Sequence, residues 1–399
     1  MIMPQSIQRI VDDAAADPAM FFSQSVGTAD SETRDSGLIL TKDQLINLKR
    51  YELKGLALPT QLKDVINYLG YESGAGKGLE AVDFQGSFKL IHGHASLWNP
   101  LRTDLLTVSD KLVVFAGSMQ VYGKSMGEVL DDIKALGLVE KYDIKTLEDL
   151  RRVELELGIK FPGIDPADKD DLGYYLDKIL DKVREREAEA LGIKARLDAF
   201  GYQLANRVAP EVKLRLACID NNNLDVEIRA LQTKIDNRAK DIQEKTEEYK
   251  KMVNKALEAA GQGNLIVMIY SSVEAEKIRK ERNKMRKDQE ADIARMETKN
   301  RILASLGRVR MDMQDLDLIV IDADIATKNL ITVWNKLGTF IAKSVSEVDG
   351  INDGLSMRRF KNQFELVVKP WETIEVDAQK LLDVFAQADR EFREEYGDQ

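Results

Sequence analysis

The sequence predicts an all-α protein: an elongated helical bundle, or tail, carrying a long antiparallel coiled-coil stalk that ends in a hydrophobic tip. Three observations carry this reading. Charged residues make up 32% of the 399 and aromatics only 7%, a balance that suits long solvated helices better than strands. Seven of the eight prolines lie at or before Pro210, the last is Pro370, and residues 211–369 hold none. An interior proline costs a helix ~3 kcal/mol, so this stretch is free to form very long ones. Within it, apolar residues keep a 3.5-residue period, the mark of helices packed along their length.

Taken in order, residues 1–40 are mixed and polar and read as a loosely ordered segment. Thr41 is placed to cap a helix running to about Lys54, with Gln44 at the capping-box position. Gly55 and Pro59 punctuate, a short helix follows to Tyr68, and 70–78 is a glycine-rich loop. Two helical patterns separated by Pro100 come next, the second running through Leu105, Leu112, Phe115 and Met119 to Leu136. A short helix near 146–156 sits among connections. The tail bundle is therefore assigned to 41–220, completed by 310–399. Its last helix spans about 355–396, bent near Pro370, with Ile374, Leu381, Phe385 and Phe392 on the buried face.

The stalk is assigned to 221–260 and 273–309. On its first arm Ile228, Ile235, Ile242, Tyr249 and Ala256 recur every seven residues. The interleaved column Leu224, Leu231, Arg238, Lys245, Met252 is broken by two cations, a flaw where packing is expected to be weak. The second column runs unbroken from Ile302, Leu306 and Val309 to Trp334, Leu337 and Ile341. Read as one helix from Val273 to about Val348, the second arm is roughly 110 Å long at ~1.5 Å per residue.

Between the arms lies the tip, 261–272, containing Leu265, Ile266, Val267, Met268, Ile269 and Tyr270. Six apolar side chains at the end of a hairpin are unfavourable in water unless something covers them. A basic run follows: Lys277, Arg279, Lys280, Arg282, Lys284, Arg286 and Lys287, with Glu281 the one acid among them, in a chain of net charge −10. An apolar tip beside a basic collar suits a bilayer, the first entering acyl chains and the second meeting anionic head groups. Six helical residues span only ~9 Å against a ~30 Å hydrocarbon core, so the tip docks without crossing by itself. The same features also fit a non-enzymatic coiled-coil adaptor whose tip docks a protein partner.

Other chemistry is sparse. The acidic balance argues against nucleic acid as a partner. One cysteine, Cys218, and two histidines, His92 and His94, exclude an internal disulfide and leave little for His-based catalysis or a metal site. Gly74-Ala75-Gly76-Lys77-Gly78 fails the phosphate-loop pattern, having Tyr71 where the first glycine belongs and Gly78 in place of Ser or Thr. Neither catalytic residues, nor a metal, nor a cofactor is expected. Cys218 reads as a small core residue, and Trp98, Trp334 and Trp371 as packing anchors. No signal peptide or 18-residue apolar span is encoded.

The segment Glu274-Ala275-Glu276-Lys277-Ile278-Arg279-Lys280-Glu281-Arg282-Asn283 directly after the tip, the long flanking helices and the pattern from Trp98 to Leu136 together resemble one family. This is the A component of xenorhabdolysin-type binary cytotoxins, α-helical pore-forming toxins related in architecture to cytolysin A. The resemblance implies a soluble monomer that acts at a target-cell lipid membrane; with no classical signal peptide read in the sequence, a non-classical route or lysis of the producer would serve for its release. At that membrane it would assemble with component B into a hetero-oligomeric lytic pore. The family's membrane-contacting foot falls on Leu265 to Tyr270, a short stretch that suits an assisting role.

Overall fold

The computed structural model describes residues 5–27, 35–73, 76–218, 224–260 and 273–396. Among them the regular elements are helices, and no strand occurs, as the composition and proline distribution predict. The chain divides into two compact units. The first comprises Met1–Val26, Val108–Leu191 and Asn329–Leu382; the second comprises Gly27–Thr107, Gly192–Lys328 and Asp383–Gln399.

In the first unit, α1 (Gln5–Val26) forms inside the stretch 1–40 that is expected to be loosely ordered, and corrects that expectation for residues 5–26. Val11, Ala14, Phe21 and Phe22 fall on one helical face and are buried. Phe22 lies against Trp371 with ring centroids 6.1 Å apart, while Lys336 binds Asp17 and, at 3.4 Å, Asp13. Pro18 sits inside this helix; the tertiary contacts outweigh the hydrogen bond it removes. The remaining helices are α5 from Val108 (Trp98–Asp132), α6 (Lys134–Lys141), α7 (Leu147–Leu157), most of α8 (Pro166–Gln203), the second part of α12 (Arg301–Val348), α13 (Gly354–Val368) and the start of α14 (Trp371–Tyr396). Phe115, Trp334 and Trp371 form an aromatic centre, with centroids 4.8–6.0 Å apart. The break between α13 and α14 falls at Pro370, as predicted.

The second unit contains α2 (Lys42–Leu56), α3 (Leu62–Leu69), α4 (Ala81–Ala95) and the first turns of α5. Thr41 and Gln44 make the predicted capping box. The end of α8 passes through a π turn (Leu204–Val208) into α9 (Ala209–Ala217). Then come α10 (Val226–Ala260), α11 (Val273–Glu297) and the first part of α12. Trp98 is fully buried here. His94, also buried, lies between the Tyr51 hydroxyl (2.7 Å) and the Phe200 carbonyl (3.1 Å).

The second stalk arm is not one helix. It breaks at residues 298–300, where Asn300 Oδ1 accepts the Leu303 amide at 3.1 Å and caps α12. There the chain reverses, as three ion pairs record: Glu297 with Arg308, Arg282 with Asp315, and Arg279 with Asp322. The first arm, α10, runs antiparallel to α11 and alongside α12, tied by Asp236–Arg310 at 2.7 Å and Lys250–Asp317 at 2.8 Å. So 221–260 and 273–309 do not form a separate two-helix stalk; α10, α11 and the first half of α12 pack as three helices within this unit. Their common core includes Ile235, Ile293, Met296, Leu303 and Met311.

The seam on α10 also differs from the predicted one. Its second column is Gln232, Ala239, Thr246 and Val253, all buried, and not the column containing Arg238 and Lys245. Those two cations stand at the flank and are paired, Arg238 with Asp292 and Lys245 with Glu248 and Glu281. The predicted flaw is thus absent. On α12 the heptad residues Leu306, Leu316, Leu330, Leu337 and Ile341 are buried as expected, and Ala304, Met311, Leu318 and Ile325 bury a further column.

Candidate membrane-contact site

The tip, 261–272 with Leu265, Ile266, Val267, Met268, Ile269 and Tyr270, lies outside the described residues. The helix ends leading to it are described. Val253 on α10 and Ala275 and Ile278 on α11 are buried. The arms therefore approach the tip inside the packing of the second unit, where the sequence suggests that no other helix accompanies them.

The basic collar splits by residue type. Lys277, Lys280, Lys284 and Lys287 are exposed. The three arginines turn the other way. Arg279 is 7% exposed and Arg282 1%, and Arg286 is half-buried. Spacings of three and four residues place the arginines on one side of α11 and the lysines on another. Arginine suits the inner side because its planar fork can satisfy several acceptors at once and loses less hydration than an ammonium.

Around Arg279 the partners are Asp322 (Nε to Oδ2 3.2 Å, Nη2 to Oδ1 3.1 Å), the Tyr249 oxygen (2.5 Å) and Glu276. Tyr249 donates to Asp322 Oδ1 at 2.5 Å, and Gln44 Nε2 donates to Oδ2 at 2.7 Å. One fully buried carboxylate thus collects donors from α2, α10 and α11. Burial works against the Arg279 charge, but the Asp322 carboxylate outweighs it and raises the pKa above the ordinary arginine value. Burial and the same carboxylate push the Tyr249 phenol up, so it remains a donor.

Arg282 makes a second node. Its Nε donates to Thr246 Oγ1 at 2.9 Å, its Nη1 to Asp315 Oδ1 at 3.1 Å, and its Nη2 to the Gln314 carbonyl. Arg286 reaches Asp315 Oδ2 at 3.3 Å, and Arg50 from α2 reaches both Asp312 and Asp315 at 3.4 Å. Burial raises the pKa of Asp312 despite Arg50 beside it. Arg279 and Arg282 are therefore structural cations that fix the register of α11 against α12, and the expectation that they meet head groups is corrected. Arg286, tied to Asp315, is turned to the same work. Sequence reasoning missed their acidic partners, although Asp312, Asp315 and Asp322 stand three and seven residues apart, the spacing of one helix face.

Cys218 is half-buried, short of the core position expected for it. The Gly76 amide donates to Glu80 Oε1 at 3.1 Å, a local loop contact. Among the described residues no group of His, Cys, Asp and Glu could hold a metal ion, and no helix is long and apolar enough to cross a membrane.

No protein-family model and no curated protein matches the chain. Its helices have the fold of α-helical toxin components. A toxin component from Bacillus cereus, HblL1, matches with a TM-score of 0.54 at 12% identity, over 92% of this chain and 96% of its own. SmhA, from the tripartite alpha-pore forming toxin Smh of Serratia marcescens, matches with a TM-score of 0.51 at 13% identity, over 94% and 95%. YaxA from Yersinia enterocolitica is 26% identical over 90% of this chain and 100% of its own, with a TM-score of 0.49.

Proposed function

We propose that this chain is the membrane-docking component of a binary α-pore-forming toxin. The apolar segment Leu265–Tyr270 enters the acyl region of a target-cell membrane, and Lys277, Lys280, Lys284 and Lys287 meet its anionic head groups. A second polypeptide, component B, then joins it in a lytic hetero-oligomeric pore. Before assembly the chain is a monomer, and it acts outside the cell that makes it.

The observation that carries this reading is the division of the collar. Four lysines are exposed directly after an apolar run, while the neighbouring arginines turn inward to acids of α12. The fold shared with HblL1 and SmhA supports it. The test is haemolysis by the protein alone and with a candidate second component, beside liposome flotation of a variant lacking 265–270. Lysis in combination only, with flotation lost in the deletion, is the expected result. Solution oligomers that ignore lipid would favour a protein-docking adaptor.

A further inference from the structure

The exposed lysines of α11 form a line. Val273, Lys277, Lys280, Lys284, Lys287, Ala291 and Ala294 are all exposed and succeed one another at intervals of four and three, so they share one face of the helix. That column holds four cations, three small or apolar residues and no carboxylate. Glu274, Glu281 and Asp288 lie along one flank of it, and Glu281 is engaged by Lys245 at 3.0 Å. The opposite side of α11 is occupied along its length, by Asp322 at Arg279, Asp315 at Arg282 and Arg308 at Glu297. In a chain of net charge −10, a line of lysines on the outward face is complementary in sign and extent to a flat anionic surface.

We propose that α11 lies side-on along an anionic bilayer, its lysine face against the head groups and its axis parallel to the surface. This rests on the membrane-docking reading above and specifies its orientation. The line from Lys277 to Lys287 covers ten residues, about 15 Å. Docking end-on through the tip would place Lys284 and Lys287 some 10–15 Å further from the lipid than Lys277. Screening over ~8–10 Å would then remove most of their contribution. Lying flat, all four lysines stand at one depth and contribute alike.

The test uses the full chain and vesicles of phosphatidylcholine containing phosphatidylserine, with pure phosphatidylcholine vesicles beside them. Two double variants are compared, Lys277→Gln with Lys280→Gln near the tip and Lys284→Gln with Lys287→Gln away from it. Lys89→Gln with Lys124→Gln serves as control, and helicity and melting confirm folding. At ~1 kcal/mol per lysine at the surface, each stripe pair is expected to weaken partitioning about 30-fold, and equally. Loss in the near pair only would establish end-on docking, overturning the orientation while leaving membrane docking intact. Unchanged binding in both pairs and in the 265–270 deletion would overturn both readings. Binding of the wild-type chain to duplex DNA, with vesicles ignored, would overturn the choice of surface.

Discussion

Arg282 and Asp315 meet at 3.1 Å, Nη1 to Oδ1, with side chains only 2% and 5% exposed. Replacing Arg282 by Met leaves the Asp315 charge to Arg286 and Arg50 and leaves Thr246 and the Gln314 carbonyl without this donor. Breaking a buried pair on one side typically costs about 3–5 kcal/mol. A loss near the lower end is expected in urea unfolding, because two arginines remain. Arg282→Lys should recover only part of it, since an ammonium cannot span the same three acceptors. A loss below about 0.5 kcal/mol would show that the node does not hold α11 in place.

Arg238 gives the opposite outcome from the one its heptad position suggests. Burial pushes the Asp292 carboxyl up, but hydrogen bonds from Lys234 and Arg238 outweigh it and leave its pKa below the usual range. Arg238→Leu puts an apolar side chain at the flank of the seam, one heptad on from Leu231 at the edge of the core, and deprives Asp292 of its nearer cation. We expect destabilisation by about 1–3 kcal/mol, read from the urea midpoint at pH 7. A more stable variant would return Arg238 to the seam. The carboxylate's contribution is present above its unfolded pKa of ~3.9 and is lost as pH falls through the lower folded value.

His94 predicts a pH dependence near neutrality. The Tyr51 hydroxyl donates to Nδ1, and Nε2–H donates to the Phe200 carbonyl. Burial lowers the His94 pKa, the backbone contact with Phe200 opposing this in part. The unfolded chain then binds the proton more readily, with a pKa of ~6.5, so this contribution is complete above that value and declines as pH falls below it. Unfolding free energies at pH 7.5 and 5.5 should differ in this direction, and His94→Gln should flatten the difference. Equal pH dependence in the variant would rule His94 out as its source.

In the first unit, a Cβ at Gly123 would stand 2.4 Å from Val368 Cγ1. Gly123→Ala gains up to about 1 kcal/mol of helix propensity, but valine is stiff at χ1 and cannot easily turn aside. Overpacking of about 1–3 kcal/mol should therefore prevail. In a Val368→Ala background the same change is expected to become stabilising, and thermal melts of the four proteins decide it. Destabilisation in both backgrounds would locate the cost elsewhere.

Most of the helix inventory was legible because its signals are local: the Thr41–Gln44 box, Pro370 between α13 and α14, and the unbroken apolar column of α12. Three features were not. The reversal at 298–300 has neither proline nor glycine; its one cue is Asn300, a strong cap that a continuing apolar period conceals. Helix α1 depends on Phe22 meeting Trp371, a contact 349 positions away in the chain. The third is the division of the collar. Whether a cation faces water or an internal acid is decided by Asp315 and Asp322 on another helix, so a charge run read alone makes Arg282 and Lys284 equivalent.

The reversal at 298–300 has a counterpart on the neighbouring strand of the chain. Glu227, one residue into α10, pairs with Lys299 at 2.8 Å, and Leu216 before α10 packs on the same cluster as Ile302 after α11. Entry and exit of the intervening segment are therefore neighbours. In topological terms 226–297 is an insert whose two ends meet, held to the helix that receives it by the acids Asp315 and Asp322.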